Sequence, residues 1–161
     1  FGATSTSLHV LSERGVIFSK GQLFGGVQLT NEIQRRYNLT FMDAELAKRG
    51  GLTLPDGYGP DVLLPFKEAM AHQISRTLRF FYSYTEYDAV DHIVLAGGGA
   101  SIDGIAELIS ERLRTPTTIA NPFAGMTLSG KVNATVLENY APTLMIACGL
   151  AMRTNQRVEG D

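Results

Sequence analysis

Three short stretches of this chain carry residue types that can handle a ligand. Gly97-Gly98-Gly99 follows the apolar run His92-Ile93-Val94-Leu95-Ala96 and precedes Asp103 to Leu113, so it joins a buried strand to a helix. Three glycines let the backbone bend sharply and bring its amides close to a flat or anionic group. The same triplet also serves as a plain strand–helix turn. It is not a dinucleotide fingerprint, because the sixth position counted from Gly97 is Ile102. Gly2-Ala3-Thr4-Ser5-Thr6 is small and hydroxyl-rich. It reads either as the polar start of a strand or as a loop whose amides and hydroxyls cradle phosphate. Glu45 and Lys48 stand three apart on one helical face. They read either as an exposed ion pair, worth ~0.3 kcal/mol, or as two groups that hydrogen-bond a ribose.

Other chemistries find no support. There is no G-x-S-x-G elbow, and the single cysteine, Cys148, leaves no internal disulfide and suits a reducing compartment. His9, His72 and His92 fall on separate elements without metal-ligand spacing. A formal net charge of −2 with scattered basic residues gives no footprint for nucleic acid. No apolar run approaches the ~20 residues needed to cross a bilayer, and nothing resembles a signal peptide. The 161 residues, 44% hydrophobic and 19% charged, suffice for one core or for two small subdomains sharing one.

The elements that must position these stretches follow from periodicity. Ser7 to Leu11 alternates, Ser12-Glu13-Arg14-Gly15 turns, and Val16 to Phe24 continues, which predicts an antiparallel hairpin. Gly25-Gly26 breaks the strand. Leu29, Ile33 and Tyr37 then predict a helix ending near Asn38, and Thr40 caps a second over Phe41 to Arg49. Gly50 to Pro60 is a loop, and Asp61 to Tyr84 is the longest helix, striped by Val62, Phe66, Met70, Ile74, Leu78 and Phe81. Its aromatic run Phe80-Phe81-Tyr82-Tyr84 reads as core rather than as a stacking platform. Pro116 to Ala120 is strand-like, Asn121-Pro122-Phe123 a turn, and Gly125 to Asn139 only weakly patterned. Pro142 opens a last helix whose Ala147 and Gly149 let another helix approach closely, and the polar tail from Asn155 reads as frayed. A chain that opens on Phe1 and enters a strand at once looks like a cut inside a larger protein.

Taken together, these pieces resemble the second half of an actin-like ATPase, in which each lobe opens with a phosphate-binding hairpin and a later strand ends in an adenosine loop. Gly2 to Thr6 resembles the second phosphate loop, with its aspartate expected just before Phe1. Ala44-Glu45-Leu46-Ala47-Lys48 resembles the A-E-x-x-K stretch whose acid and lysine touch the nucleotide sugar. Leu95 to Ile102, with Gly97, Gly98, Gly99, Ala100 and Ile102, resembles the adenosine loop. Within the superfamily the chain is most similar to the PilM family of type IV pilus assembly proteins, with the cell-division protein FtsA more distant. That similarity rests on Gln22 to Gly26, Glu32 to Tyr37, Pro65 to Ala69, Ala120 to Phe123 and Met145 to Ala151.

The resemblance implies an α/β fold, the ribonuclease H-like second lobe, with a mixed sheet opening in the hairpin and extended by strands at His92 and near Thr117. Residues 1–25 and 85–161 would form the sheet subdomain, and 26–84 a helical subdomain with its connecting helix. It implies ATP and Mg2+ held between two lobes, no resident protein metal site, and no nucleic-acid partner. The expected setting is cytoplasmic, peripheral to the bacterial inner membrane, in pilus biogenesis and twitching motility. A PilN-like inner-membrane protein would be recruited through the other lobe, and the last helix could support a homo-oligomer. Whether the full-length protein hydrolyses ATP or is a structural adaptor stays open, since no catalytic residue is visible. A Rossmann-type oxidoreductase is disfavoured. A single lobe is expected to fold, to be inactive alone, and to bind ATP poorly. Glu45 and Lys48 are expected at a surface.

Overall fold

In a computed structural model, the structure describes residues 1–153, so the frayed-tail expectation from Asn155 lies outside the described residues. The chain opens with strands β1 (Thr6–Ser12) and β2 (Gly15–Gln22), paired antiparallel with an irregularity between Val10 and Leu11. Helices α1 (Gly26–Tyr37) and α2 (Phe41–Lys48) follow. Asn38 ends α1 in the left-handed conformation that asparagine tolerates, and Thr40 caps α2 by accepting the Asp43 amide at 3.2 Å, as the sequence predicts. The long helix opens on a wide π turn (Gly59–Leu63) and continues as α3 (Leu64–Ser83). Then come β3 (Ile93–Leu95), α4 (Ile105–Leu113) and β4 (Thr117–Ile119), with β3 and β4 parallel.

Strands of both senses are present, but in two separate two-stranded ladders rather than one continuous sheet. The link between them is Phe1, whose main-chain nitrogen donates to the Ala96 carbonyl at 2.6 Å. The weakly patterned region also holds a helix that periodicity did not find, α5 (Ala134–Tyr140), with Asn133 accepting the Val136 amide at its start. A 3-10 turn carrying Pro142 (Ala141–Leu144) leads into α6 (Met145–Ala151).

Apolar burial falls into two clusters. The larger joins Val10 and Phe24 of the hairpin region, Met70, Ile74, Leu78 and Phe81 of α3, Leu95 of β3, and Ile105 and Ile109 of α4. The smaller joins Leu29 and Ile33 of α1, Ala44 and Ala47 of α2, and Val62. The stripe on α3 therefore packs against the sheets, and the bidentate contact of Arg112 with Glu68 ties α3 to α4 from outside. Among the aromatics of α3, Phe81 is core and packs on Phe18 at 5.3 Å, whereas Phe80 and, at the helix C-cap, Tyr84 remain exposed. Phe81 is 1% exposed, so Phe81→Ala should lower the unfolding free energy by ~3–5 kcal/mol, read from urea denaturation. Tyr84→Ala, on the exposed side of the same helix, should change it by less than ~0.5 kcal/mol.

Candidate functional site

The two glycine-containing loops meet at Phe1. Its main-chain nitrogen donates to Ala96 O, and its carbonyl accepts the Gly99 amide at 3.1 Å. The next two carbonyls, of Gly2 and Ala3, accept the Gly26 and Val27 amides at 3.0 and 2.8 Å. The first three residues thus tie the triplet loop to the start of α1. Such close backbone approach dictates side-chain size. Gly97 has φ of +88°, and a Cβ there would collide with the Phe1 carbonyl. A Cβ on Gly25 would sit 2.5 Å from the Ala3 carbonyl oxygen and 2.7 Å from that of Gly2.

The predicted loop residues divide by exposure. Ala3, Thr4 and Ser5 are exposed, and their amides bond no protein acceptor among the described residues. Three consecutive amides without a protein acceptor are donors of the kind that an anion can accept from. Gly2 is exposed, but its amide closes the loop on Ser5 O at 2.9 Å. Thr6 is turned inward: it is 5% exposed and its hydroxyl donates to Phe24 O at 2.7 Å, anchoring the hairpin. At the other loop Gly98 is exposed and a Cβ there would meet nothing within 4 Å. Gly99 and Ala100 are buried beneath it, Ile102 is half-buried, and the Gly97 amide is held by Pro142 O at 2.7 Å.

Glu45 and Lys48 are not the free surface pair that their spacing suggested. Their side chains are 21% and 18% exposed, and they form an ion pair within a network. The Lys48 ammonium also donates to Thr30 Oγ1 at 2.8 Å and to Gly26 O at 3.3 Å. Thr30 is fully buried and its hydroxyl bonds the Glu45 carboxylate. Burial alone would raise the Glu45 carboxyl above its ordinary value of 4.5. The hydrogen bonds from Lys48 and Thr30, with the charges of Lys48 and Arg49, outweigh burial and hold it below that value. Since Gly26 also bonds Gly2, this network abuts the phosphate-loop candidate.

Phe1, Gly25 and Thr30 were not singled out by sequence reasoning. For Thr30 there was a signal: a hydroxyl residue beside Leu29 on the apolar stripe of α1, one turn after Gly26. The histidines stay apart, His9 bonding Ser19 and His92 bonding Thr118. Among the described residues no group of three or more potential metal ligands assembles.

This arrangement of hairpin, helical insert, long helix and glycine-ended strand defines a lobe of the actin-like ATPase fold. Residues 1–155 match the family described as type IV pilus assembly protein PilM, and the chain belongs to that family. A chain of a solved PilM–PilN type IV pilus biogenesis complex superimposes with a TM-score of 0.79 at 27% identity, over 94% of this chain and 43% of that one. The ethanolamine utilization protein EutJ from Carboxydothermus hydrogenoformans shares the fold, with a TM-score of 0.57 at 20% identity over 73% of this chain and 40% of its own. The chain thus spans about two fifths of the length of these structures.

Two outcomes follow from this geometry. Gly25→Ala should destabilise the protein by ~1–3 kcal/mol in thermal or urea unfolding, because all three clashing atoms belong to backbone. Gly149→Ala, where a methyl meets nothing within 4 Å, should not destabilise it. The Glu45 carboxyl lies below its unfolded value, so its contribution is complete above that value and drains away as pH falls through the folded one. Denaturant midpoints recorded from about pH 6 down to about pH 3 should therefore fall less steeply at the acid end in Glu45→Gln than in the parent.

Proposed function

We propose that this chain is the nucleotide-binding lobe of a pilus assembly protein that holds ATP with Mg2+ between two lobes. The meeting of both glycine loops at Phe1, beside the Glu45–Lys48 network, is the observation that carries this reading. The exposed amides of Ala3, Thr4 and Ser5 suit phosphate oxygens, and the open edge at Gly98 suits the face of adenine. Gly2, Thr6, Gly97, Gly99, Ala100 and Ile102 shape those two loops. Glu45 and Lys48 stand where the sugar would lie. Mg2+ would travel on the phosphates themselves, as this ion commonly does. What the bound nucleotide supplies is charge and a bridge between lobes. The protein's part is to position it.

The partner is a PilN-like inner-membrane protein, as suggested by the PilM–PilN complex that the chain resembles. No helix of the described residues is long and apolar enough to cross a membrane, so attachment at the cytoplasmic side of the inner membrane would run through that partner. The family's task is pilus biogenesis, and with it twitching motility. On α6, Ile146 is 79% and Leu150 58% exposed, an apolar face that suits contact with the rest of the protein or with a second copy.

A second reading is an adaptor: Glu45 is engaged by Lys48 and Thr30. In that reading the nucleotide orders the lobes without turnover. Calorimetric titration of the full-length protein with Mg-ATP should give saturable binding, weakened by ~1–3 kcal/mol in Lys48→Ala. Absence of heat in the parent protein would overturn the nucleotide reading. Phosphate release no faster than in buffer selects the adaptor, and release abolished by Lys48→Ala selects the ATPase.

A further inference from the structure

Strand β2 has a partner on one side only. Its ladder to β1 occupies one edge, and the only other backbone bond along Gly15 to Gln22 joins the Gln22 carbonyl to the Phe24 amide. Among the described residues, then, the far edge of β2 meets no other backbone. An exposed edge of this kind is a template for a further strand. A groove of about 550 Å³ lies between β2 and α3, lined by Lys20, Gln22, Arg76, Thr77 and Phe80. Lys20 and Gln22 face Leu8 and Thr6 across the ladder, yet no residue of β1 lines the groove. It therefore opens on the side of the free edge. Thr77, 3% exposed, forms its floor.

This groove is positive and carries no counter-charge. Lys20 Nζ stands 3.6 Å from the centre of the Phe80 ring, whose negative face holds an ammonium in place. No carboxylate among the described residues pairs with Lys20, with Arg76 or with Arg79 one turn further on; their ion pairs belong to other cations. We propose that the open edge of β2 and the basic groove beside it bind an extended, acidic segment of a partner protein, which adds to the hairpin as a third strand. The proposal is independent of the nucleotide reading. Main-chain bonds to the edge would supply affinity, and alternate side chains would supply direction. On an added strand every second side chain points to the same face as Lys20, and the residue opposite it comes within ~5 Å at Cβ. A carboxylate there reaches the Lys20 ammonium, and the next on that face reaches toward Arg76. Phe18 packs against Phe80 with ring centres 6.2 Å apart, so the groove also offers a partner an apolar wall. A second copy of this chain is the poorer occupant. β2 has no acidic residue, so edge-to-edge pairing of two copies would gather Lys20 and Arg76 at one seam with nothing to neutralise them.

The test titrates the full-length protein, by fluorescence anisotropy, with a fluorescein-labelled peptide of alternating glutamate and valine matching the eight residues of β2. It should bind saturably, and a peptide of alternating lysine and valine should not. Lys20→Glu and Arg76→Glu should each weaken binding about tenfold or more, the size of a lost charged contact. Arg35→Glu, on the exposed face of α1, should leave it unchanged. Thermal unfolding of each variant separates a damaged fold from a lost site. A strand presents its amides alternately to its two sides. N-methylation of one alternate set of peptide amides should therefore abolish binding, and methylation of the other set should spare it. Equal effects of the two methylated sets would overturn strand addition. Equal binding of the lysine peptide, or indifference to both charge reversals, would overturn the acidic partner. No binding of the glutamate peptide would overturn the whole proposal. So would phosphatidylglycerol vesicles that bind through Lys20 and Arg76 where the peptide does not, or a dimer in sedimentation that Lys20→Glu disperses.

Discussion

The site depends on the main chain of Phe1 to Ala3. Backbone polar groups taken out of water must find partners, and here four of them find partners on two other elements: Ala96 and Gly99 on one side, Gly26 and Val27 on the other. The consequence for ligand chemistry is specific. The start of a helix ordinarily offers its free amides to an anion. In α1 the first two are already spent on Gly2 and Ala3 carbonyls, so the positive end of that helix is turned toward protein. What remains for an anion is the row of amides just beyond, on Ala3, Thr4 and Ser5. The clasp that occupies the start of α1 thus leaves the Ala3, Thr4 and Ser5 amides without a protein acceptor among the described residues.

Side chains take over where this backbone clasp ends. The Glu45–Lys48 pair would be of little account at a free surface, since a solvated i,i+3 pair is worth only tenths of a kcal/mol. Thr30 and the Gly26 carbonyl change its character by enclosing it. The pair now ties α2 to α1, and it does so at the residue where α1 is joined to the loop. The ion pair and the candidate loop are thus joined through Gly26, which bonds Gly2 through its amide and Lys48 through its carbonyl.

Much of this was legible in the sequence, and the remainder was not for identifiable reasons. Periodicity found α1 and α3 because each buries a regular stripe, the alternation of β1 and the turn after it marked the hairpin, and the end of α1 at Asn38 and the Thr40 cap of α2 follow from local chemistry alone. It missed α5 because that helix buries none of its residues, so no stripe was selected; the Asn133 cap was the available signal. The glycine loops were legible as loops, but their meeting at Phe1 was not, because a main-chain bond leaves no residue type behind it. Their glycines mark only the space that the bond requires. The enclosure of Lys48 escaped for a related reason. Spacing within one helix shows that Glu45 and Lys48 share a face, but it cannot show that Thr30, on another helix, lies against that face. Thr6 turned inward because Phe24 leaves a carbonyl for it at the end of the hairpin, a tertiary fact invisible to alternation.

This division explains how the fold can persist while most of its sequence changes. A clasp of backbone bonds constrains few side chains; it asks for the absence of a Cβ at Gly25 and Gly97. The apolar clusters ask only for volume and pattern, which many sequences satisfy. Structures at 27% and 20% identity accordingly keep the same chain path. Such a scaffold cannot itself discriminate between ligands, because amides bind any oxyanion of suitable size. Discrimination has to come from side chains of fixed direction, and beside the loops the enclosed group of Thr30, Glu45 and Lys48 has that property. The clasp, then, is made of atoms that every residue carries, and beside it stand three side chains that only this arrangement brings together.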